Sequence, residues 1–387
     1  MIALATIIDL FESDYLAQYP QCATQRQRQA LNAMKRCRTT LAPRMLAQCG
    51  DCGEQRLVPH SCGHRLCPHC QHHESQAWIE RQTQRLVPGN HFLVTFTVPA
   101  ELRELIWQHQ RMGYTALMEC AWATLRSFSL NHKQLRGTPG AVAVLHTQSR
   151  QLAFHPHVHV LMPAAALDAD KGLWRSLRRS KKGVSGGDGY LFNHKALAKV
   201  FRGKFLAALR EHGLSLPPVL PKDWVVDCKS VGNGAAALVY LGRYLYRGVI
   251  AEKDILRCEN GQVTYRWRDS STHKTVVRTV SGAQFLRLVL QHVLPKGFRR
   301  TRNFGFLHPN SKRLIALLKL LVFKRPSQPP MDAPSSASTA PRAQWKCRCC
   351  GAPMVVVRRR ILPSIALSIA PSIDVPPSQQ SQAIQNQ

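Results

Sequence analysis

Apolar and polar positions alternate most clearly in the middle of the chain. His91-Phe92-Leu93-Val94-Thr95-Phe96-Thr97-Val98-Pro99 predicts a strand stopped by proline. Ala141-Val142-Ala143-Val144-Leu145-His146, built of small and β-branched residues, predicts another. Phe154-His155-Pro156-His157-Val158-His159-Val160 follows and is closed by Leu161-Met162-Pro163, so 141–147 and 155–162 form an expected hairpin. A second hairpin is expected from Gln262–Trp267 and Lys274–Arg278. Elsewhere the period is helical. Apolar spacing through Leu10, Phe11, Tyr15, Leu31 and Met34 makes residues 1–48 helical, and 72–87 reads as an amphipathic helix ending before Pro88-Gly89. Helices follow from about Leu102 to Phe128 and along the stripe Leu197, Val200, Phe201, Phe205 and Leu209. Asn233 caps a helix from Gly234 to Arg247 with Gly248 as its stop. Ser281-x-x-Gln284 is a capping box for a helix to Leu294, stopped by Pro295. From about Pro326 the chain turns rich in Pro, Ser and Ala, which predicts a disordered tail.

Composition narrows the partners. The 387 residues include 53 Lys and Arg against 22 Asp and Glu, a formal charge of +31 spread along the chain. Nucleic acid is the leading partner for such an excess and an anionic membrane the second. No apolar run reaches the roughly 18 residues of a membrane helix, and the N-terminus lacks the basic start of a secretory signal. Thirteen cysteines, an odd number, then argue for metal ligands and free thiols over disulfides.

The alternation gives the histidines a meaning. On a strand His155, His157 and His159 share one face while Val158 turns into the core. Neighbours on that face sit roughly 7 Å apart and the outer two roughly 13 Å apart, so one adjacent pair converges on an ion, completed by a ligand from another element. Pro156 suits a strand start and favours His157 and His159 as the pair. A separate cysteine block sets Cys49-x2-Cys52 fourteen residues ahead of Cys67-x2-Cys70. That spacing predicts a zinc ribbon of four thiolates, closed and therefore structural. Cys347-Arg348-Cys349-Cys350-Gly351 offers one further cluster, read as half of a second site or an inert remnant. Tyr240 and Tyr244 fall one turn apart on their helix with Arg243 and Arg247 beside them, an oxyanion-binding face, whereas Tyr246 points roughly 200° away from Tyr244. Candidate DNA contacts are Arg243, Arg247, Arg299, Arg300 and Arg302, with Lys181 and Lys182 in a basic loop from Lys171 to Gly189.

Several of these stretches recur together, in order, in one family. The knuckle ending Cys67-Pro68-His69-Cys70-Gln71, the strand Phe92–Pro99, His146-Thr147 ahead of the histidine strand, and Tyr240-Leu241-Gly242-Arg243-Tyr244 are similar to rolling-circle transposases of the insertion sequence 91 family. So are His292-Val293-Leu294-Pro295-Lys296-Gly297-Phe298 and Phe304-Gly305-Phe306-Leu307-His308-Pro309. The likeness runs from about residue 20 to 325. It implies an HUH endonuclease, named for a His-hydrophobic-His trio, here His157-Val158-His159. It implies an α+β architecture, with a helical and zinc-binding segment over 1–87 and an antiparallel sheet with flanking helices over 88–325, to which composition adds the disordered tail over 326–387. It further implies cutting of single-stranded transposon ends through Tyr240 or Tyr244, with Mg²⁺ or Mn²⁺ on His157 and His159 and structural Zn²⁺ on Cys49, Cys52, Cys67 and Cys70. A cytoplasmic bacterial protein, on the nucleoid when DNA-bound, is the matching location. Related enzymes supply a third, oxygen-bearing ligand seven residues before the first histidine. Arg150 stands there, so Gln148, Gln151 or His146 would replace it. The rival functions are a zinc-dependent DNA-binding regulator without catalysis and a replication initiator or relaxase with the same chemistry.

Overall fold

The computed structural model of the protein describes residues 2–177, 191–269, 272–323 and 345–362. Helices α1 (Leu4–Gln18) and α2 (Gln25–Lys35) come first, then strands β1 (Arg44–Cys49) and β2 (Gln55–Pro59). Next in order are α3 (His72–Thr83), β3 (His91–Thr97), α4 (Arg103–Gln108) and α5 (Gln110–Asn131). The hairpin follows as β4 (Thr138–Gln148) and β5 (Phe154–Pro163), then β6 (Ala165–Asp168), β7 (Leu173–Ser176), α6 (His194–Glu211) and β8 (Val226–Ser230). Then come α7 (Ala235–Tyr246), β9 (Ile255–Glu259), β10 (Gln262–Arg268), β11 (Thr275–Ser281) and α8 (Gly282–Leu290). The remaining elements are β12 (Thr301–Gly305), α9 (Lys312–Leu318) and β13 (Met354–Ile361). The chain divides into two compact units, one of Met1–Lys35 with Gly63–Ser335, the other of Arg36–Cys62 with Ser336–Gln387. Residues 1–87, expected as a single module, therefore contribute to both.

The larger unit is built on an antiparallel sheet in the order β7-β6-β4-β5-β3-β8, with β12 also paired to β4. Strand alternation sorts its residues cleanly between two faces. Phe92, Val94 and Phe96 of β3, Ala143 and Leu145 of β4, and Val158, Val160 and Met162 of β5 bury themselves with Leu117, Phe201 and Phe205 of α5 and α6. Each of these side chains larger than alanine, fully withdrawn from water, contributes about 1.5–3 kcal/mol. On the other face Val142, Val144 and Leu161 pack against Trp78 of α3 and Leu238, Leu241 and Leu245 of α7. That same face carries His146, His157 and His159, because Val144 lies opposite His159 and His146 opposite His157. A one-residue slip of β5 would drive the histidines into the apolar core, so the hydrophobic pattern itself specifies the register.

Local signals account for several element ends. Ser281 Oγ accepts from the Gln284 N–H at 3.3 Å, as expected of a cap, whereas left-handed Gly234 takes the cap position of α7 and Asn233, one residue outside it, accepts from the Ala235 N–H through Oδ1 at 3.1 Å. Three further expectations are corrected. Gly248 is not a left-handed stop: it lies where a Cβ would come within 2.9 Å of the Leu66 carbonyl oxygen. The helix after Ser281 ends at Leu290, short of Leu294. The basic loop starts as sheet, since β7 pairs with β6 and Arg175 Nη2 donates to Asp168 Oδ2 at 3.0 Å. Lys181 and Lys182 lie outside the described residues.

The smaller unit is a three-stranded antiparallel sheet in the order β13-β1-β2. β13 falls within the stretch expected to be a disordered tail. Eight residues of extended, half-apolar sequence, Met354–Ile361, find a partner in β1 more than 300 positions earlier, a pairing no local pattern reveals.

Candidate metal and tyrosine site

Three imidazoles meet on the α7 face of the large sheet. His146, His157 and His159 each bring a ring nitrogen to within 4.8 Å of the others. Ring centroids are 5.1 Å apart for His146–His157, 4.3 Å for His146–His159 and 5.1 Å for His157–His159. The protonation pattern follows from the partners. His157 Nδ1 stands 2.7 Å from the His155 carbonyl oxygen, which only accepts, so Nδ1 holds the proton and Nε2 keeps its lone pair. His159 Nδ1 lies 2.8 Å from Thr95 Oγ1 on the neighbouring strand. His146 Nε2 is buried with no hydrogen-bond partner among the described residues. Burial holds all three rings neutral: it takes His157 down to about 3 and His159 to about 4, and His146 well below the usual range. A second cause acts on His146 and His157, since a charged His159 would repel either of them, whereas the Asp227 carboxylate opposes the fall at His159. Three neutral imidazoles with converging lone pairs, one of them unpartnered and buried, form a donor set that fits a divalent transition ion.

Of the three replacements for the missing ligand, the structure brings in His146. Gln148 turns its amide Nε2 to the Val249 carbonyl at 3.3 Å, and Gln151 is exposed. His155, on the same strand face, sets its ring tilted 5.1 Å from His157 but is outside the converging trio.

Helix α7 lies across this cluster. Its buried stripe, Leu238, Leu241 and Leu245, faces the sheet, and Tyr240 and Tyr244 flank that stripe on the histidine side. The Tyr244 ring stacks on His146 with centroids 3.3 Å apart and planes 15° apart. Tyr240 stands edge-on to His159 at 6.1 Å and is 50% exposed. Tyr246 turns to the cluster around Trp78, away from the histidines. Close helix contact sets the height of α7: Ser75 Oγ of α3 donates to the Gly242 carbonyl at 3.1 Å. A Cβ at Gly242 would sit 2.3 Å from Ile79 Cγ1.

The cations near the phenols differ from those expected. Arg243 and Arg247 are exposed, and Arg247 pairs with Asp254 at 3.9 Å. Arg243 falls on the side of α7 opposite its leucine stripe, and Arg247 follows the helix as its extended C-cap. The guanidinium over Tyr244 belongs to Arg300, with Cζ 5.0 Å from the ring centroid. Arg300 Nε donates to the Leu145 carbonyl at 2.9 Å and Nη1 to the Leu245 carbonyl at 3.3 Å, so strand and helix both anchor it. Burial raises the Tyr244 phenol to about 12, and Arg300 opposes that rise. Tyr240 is raised by burial too, with Arg150 opposing. Arg302 is committed elsewhere, donating to Glu119 Oε1 at 3.1 Å and Thr115 Oγ1 at 3.2 Å, while Arg299 is exposed. The sequence made Arg300 a candidate DNA contact; its position just ahead of β12 gave no sign of Tyr244.

The cysteines are regrouped. Cys49 and Cys52 converge with Cys347 and Cys350, the four sulfurs within 4.8 Å of one another. Cys67 and Cys70, expected to complete that set, lie in the other unit, both buried, just ahead of α3.

Comparison with known proteins decides the family. A family model described as "Transposase zinc-binding domain" (Zn_Tnp_IS91) matches residues 7–98, and one described as "Putative transposase" (Y2_Tnp) matches residues 140–314. The chain is 30% identical over 327 residues to "Putative transposase y4qJ" of Sinorhizobium fredii, covering 79% of this chain and 80% of that protein. It is 28% identical over 361 residues to "Transposase for insertion sequence element IS801" of Pseudomonas savastanoi pv. phaseolicola, covering 84% of this chain and 82% of that one. The chain belongs to the insertion sequence 91 family of transposases. As a transposase of this family it is an enzyme of DNA cutting and strand transfer. The three histidines, both tyrosines and Arg300 all fall within the span of the transposase match. Among the described residues no helix is long and apolar enough to cross a membrane.

Proposed function

We propose that the transposase nicks single-stranded DNA at transposon ends through Tyr240 and Tyr244, by a rolling-circle route. One observation supports this most: two phenols on one helix face lie over three converging, neutral imidazoles. In the reaction a phenol oxygen bonds to the scissile phosphorus and the bond from phosphorus to the 3′ oxygen breaks. The phenolic proton ends, in net, on that oxygen, leaving a 5′-phosphotyrosine and a free 3′-OH. The phosphodiester energy is retained in the adduct, so strand joining needs no nucleotide triphosphate. His146, His157 and His159 would hold a divalent ion, whose chemistry is to polarise and orient the scissile phosphate. Three imidazoles favour Mn²⁺ over Mg²⁺.

The tyrosines divide the work by access. Tyr240, half exposed, reaches incoming DNA directly and makes the first cut. Tyr244 is stacked between His146 and the Arg300 guanidinium and takes the second strand once DNA displaces that stack. A phenol near pKa 10 attacks poorly unless its anion is stabilised; Arg150 and Arg300 act in that direction on Tyr240 and Tyr244 respectively. The excess of basic residues supplies the sequence-independent grip on phosphates. The test is incubation with single-stranded DNA from the element's ends and Mn²⁺. A covalent protein–DNA species supports the reading; tight, salt-dependent binding with no adduct leaves a DNA-binding regulator in its place.

A further inference from the structure

The smaller unit holds a constellation that takes no part in the tyrosine chemistry. Two short turns face each other there: Cys49-Gly50-Asp51-Cys52-Gly53 and Cys347-Arg348-Cys349-Cys350-Gly351. They are copies in geometry as well as in sequence. The Cys49 N–H donates to the Glu54 carbonyl at 2.8 Å, and the Cys347 N–H to the Ala352 carbonyl at 2.8 Å. The Gly53 N–H returns to the Cys49 carbonyl at 3.2 Å, and the Gly351 N–H to the Cys347 carbonyl at 3.0 Å. Both closing glycines are left-handed, with φ of 74° and 76°, a conformation other residues adopt only under strain. Each turn joins two antiparallel segments, β1 to β2 in one case and the Lys346–Pro353 bridge leading into β13 in the other.

The sulfurs lie between the turns. Cys49 Sγ is 3.5 Å from Cys350 Sγ, Cys52 Sγ is 3.5 Å from Cys347 Sγ, and Cys52 Sγ is 3.6 Å from Cys350 Sγ. These separations are far above the roughly 2 Å of a disulfide. They approach the roughly 3.8 Å edge of a tetrahedron with metal–sulfur bonds of about 2.3 Å. The Cys349 N–H points at Cys347 Sγ at 3.4 Å, the kind of backbone donor that steadies a thiolate. Around the sulfurs the buried apolar cluster adds only Ala47, Val58 and Met354. So small a core does not usually hold a fold without a staple.

We propose that Cys49, Cys52, Cys347 and Cys350 form one closed, four-thiolate zinc site, whose ligands come half from each end of the described chain. Four soft thiolates with no open position make the zinc structural. Its binding energy becomes folding energy for the unit, so the N-terminal hairpin depends on residues beyond position 345. The zinc-binding family match stops at residue 98 and does not reach the second turn. The proposal stands apart from the nicking reaction and does not require it.

The test uses the full chain and reads metal, not activity. Native mass spectrometry and zinc analysis should find that Cys347→Ser/Cys350→Ser lowers bound zinc by about one equivalent relative to the unaltered protein. Cys49→Ser/Cys52→Ser should remove the same equivalent, and all four substitutions together no more than either pair. If Cys49 and Cys52 instead shared an ion with Cys67 and Cys70, the C-terminal variant would keep its full complement, which overturns the proposal. Losses that add up between the two pairs overturn it too. Should the variants misfold, alkylation of the unaltered protein decides: Cys347 and Cys350 should resist N-ethylmaleimide until a chelator is added and then react with Cys49 and Cys52. Prompt labelling of Cys347 and Cys350 in the zinc-loaded protein would refute the site.

Discussion

Gly242 sets how closely α7 approaches α3, and through α7 the position of both tyrosines. A Cβ there would meet Ile79 Cγ1 at 2.3 Å, Ile79 Cδ1 at 2.8 Å and Trp78 Cε3 at 3.1 Å. Ordinary contact begins near 3.4 Å, so Gly242→Ala demands about 1 Å of retreat by Ile79 or by the helix itself. Overpacking of this kind costs about 1–3 kcal/mol, and alanine's better helix propensity returns about 1 kcal/mol. Net stability should therefore fall by no more than about 2 kcal/mol, and the protein should remain folded. Catalysis should suffer more. Tyr240 and Tyr244 flank Gly242 two residues to either side, and a misplacement of about 1 Å at a reacting group costs about 100-fold in rate. Initial rates of nicking on a single-stranded oligonucleotide, measured beside a urea melt, separate the two effects. Ile79→Ala added to Gly242→Ala should recover most of the rate, because it removes the atoms in the way. Nicking by Gly242→Ala at the unaltered rate, or a double variant as slow as the single, would refute the claim that this contact positions the nucleophiles.

The site makes two further predictions. His146→Ala, His157→Ala and His159→Ala should each cut nicking by about 100- to 1000-fold while DNA affinity, read by fluorescence anisotropy, stays within about twofold; His155→Ala should be milder. Equal loss at His155 would mean that the converging set is misassigned. A pH effect comes from His292, buried with Nε2 donating to the Leu152 carbonyl at 3.1 Å and Nδ1 facing Thr147 Oγ1. Burial lowers it to about 4, so between pH 6.5 and 4 the unfolded chain takes up a proton that the fold refuses. Stability should be complete above pH 6.5 and fall toward pH 4 by up to about 3 kcal/mol from this residue. Urea midpoints at pH 7 and 5 should differ less in His292→Gln than in the unaltered protein; an equal difference removes His292 as a cause.

How much of this was legible in the sequence depends on the range of the interaction. The β4–β5 hairpin, the shared face of His157 and His159, the one-turn spacing of Tyr240 and Tyr244 and the cap at Ser281 all rest on contacts within a few residues. Period and turn chemistry encode those directly. His146 was one of three open choices for the third ligand, because its role depends on register: it becomes a neighbour only when β4 sets it opposite His157. Arg300 was a candidate DNA contact, since nothing nearby announces that its guanidinium lies over a ring 56 positions earlier. The cysteines show the limit most sharply. Each Cys-x2-Cys turn is visible, but which turns share an ion is a tertiary fact, and the nearer pair was chosen where the structure joins positions 295 residues apart. The matching glycine after Cys52 and Cys350 was the available signal.

The central claim is that α7 supplies the nucleophiles and the three imidazoles serve them. Its most direct test is to trap the covalent species formed with single-stranded DNA from the element's ends and Mn²⁺, digest it, and map the attached nucleotide by mass spectrometry. The account predicts attachment at Tyr240 in the unaltered protein and at Tyr244 in Tyr240→Phe, with no adduct when both are phenylalanine. Attachment at Tyr246, or at no tyrosine of this helix, would contradict it.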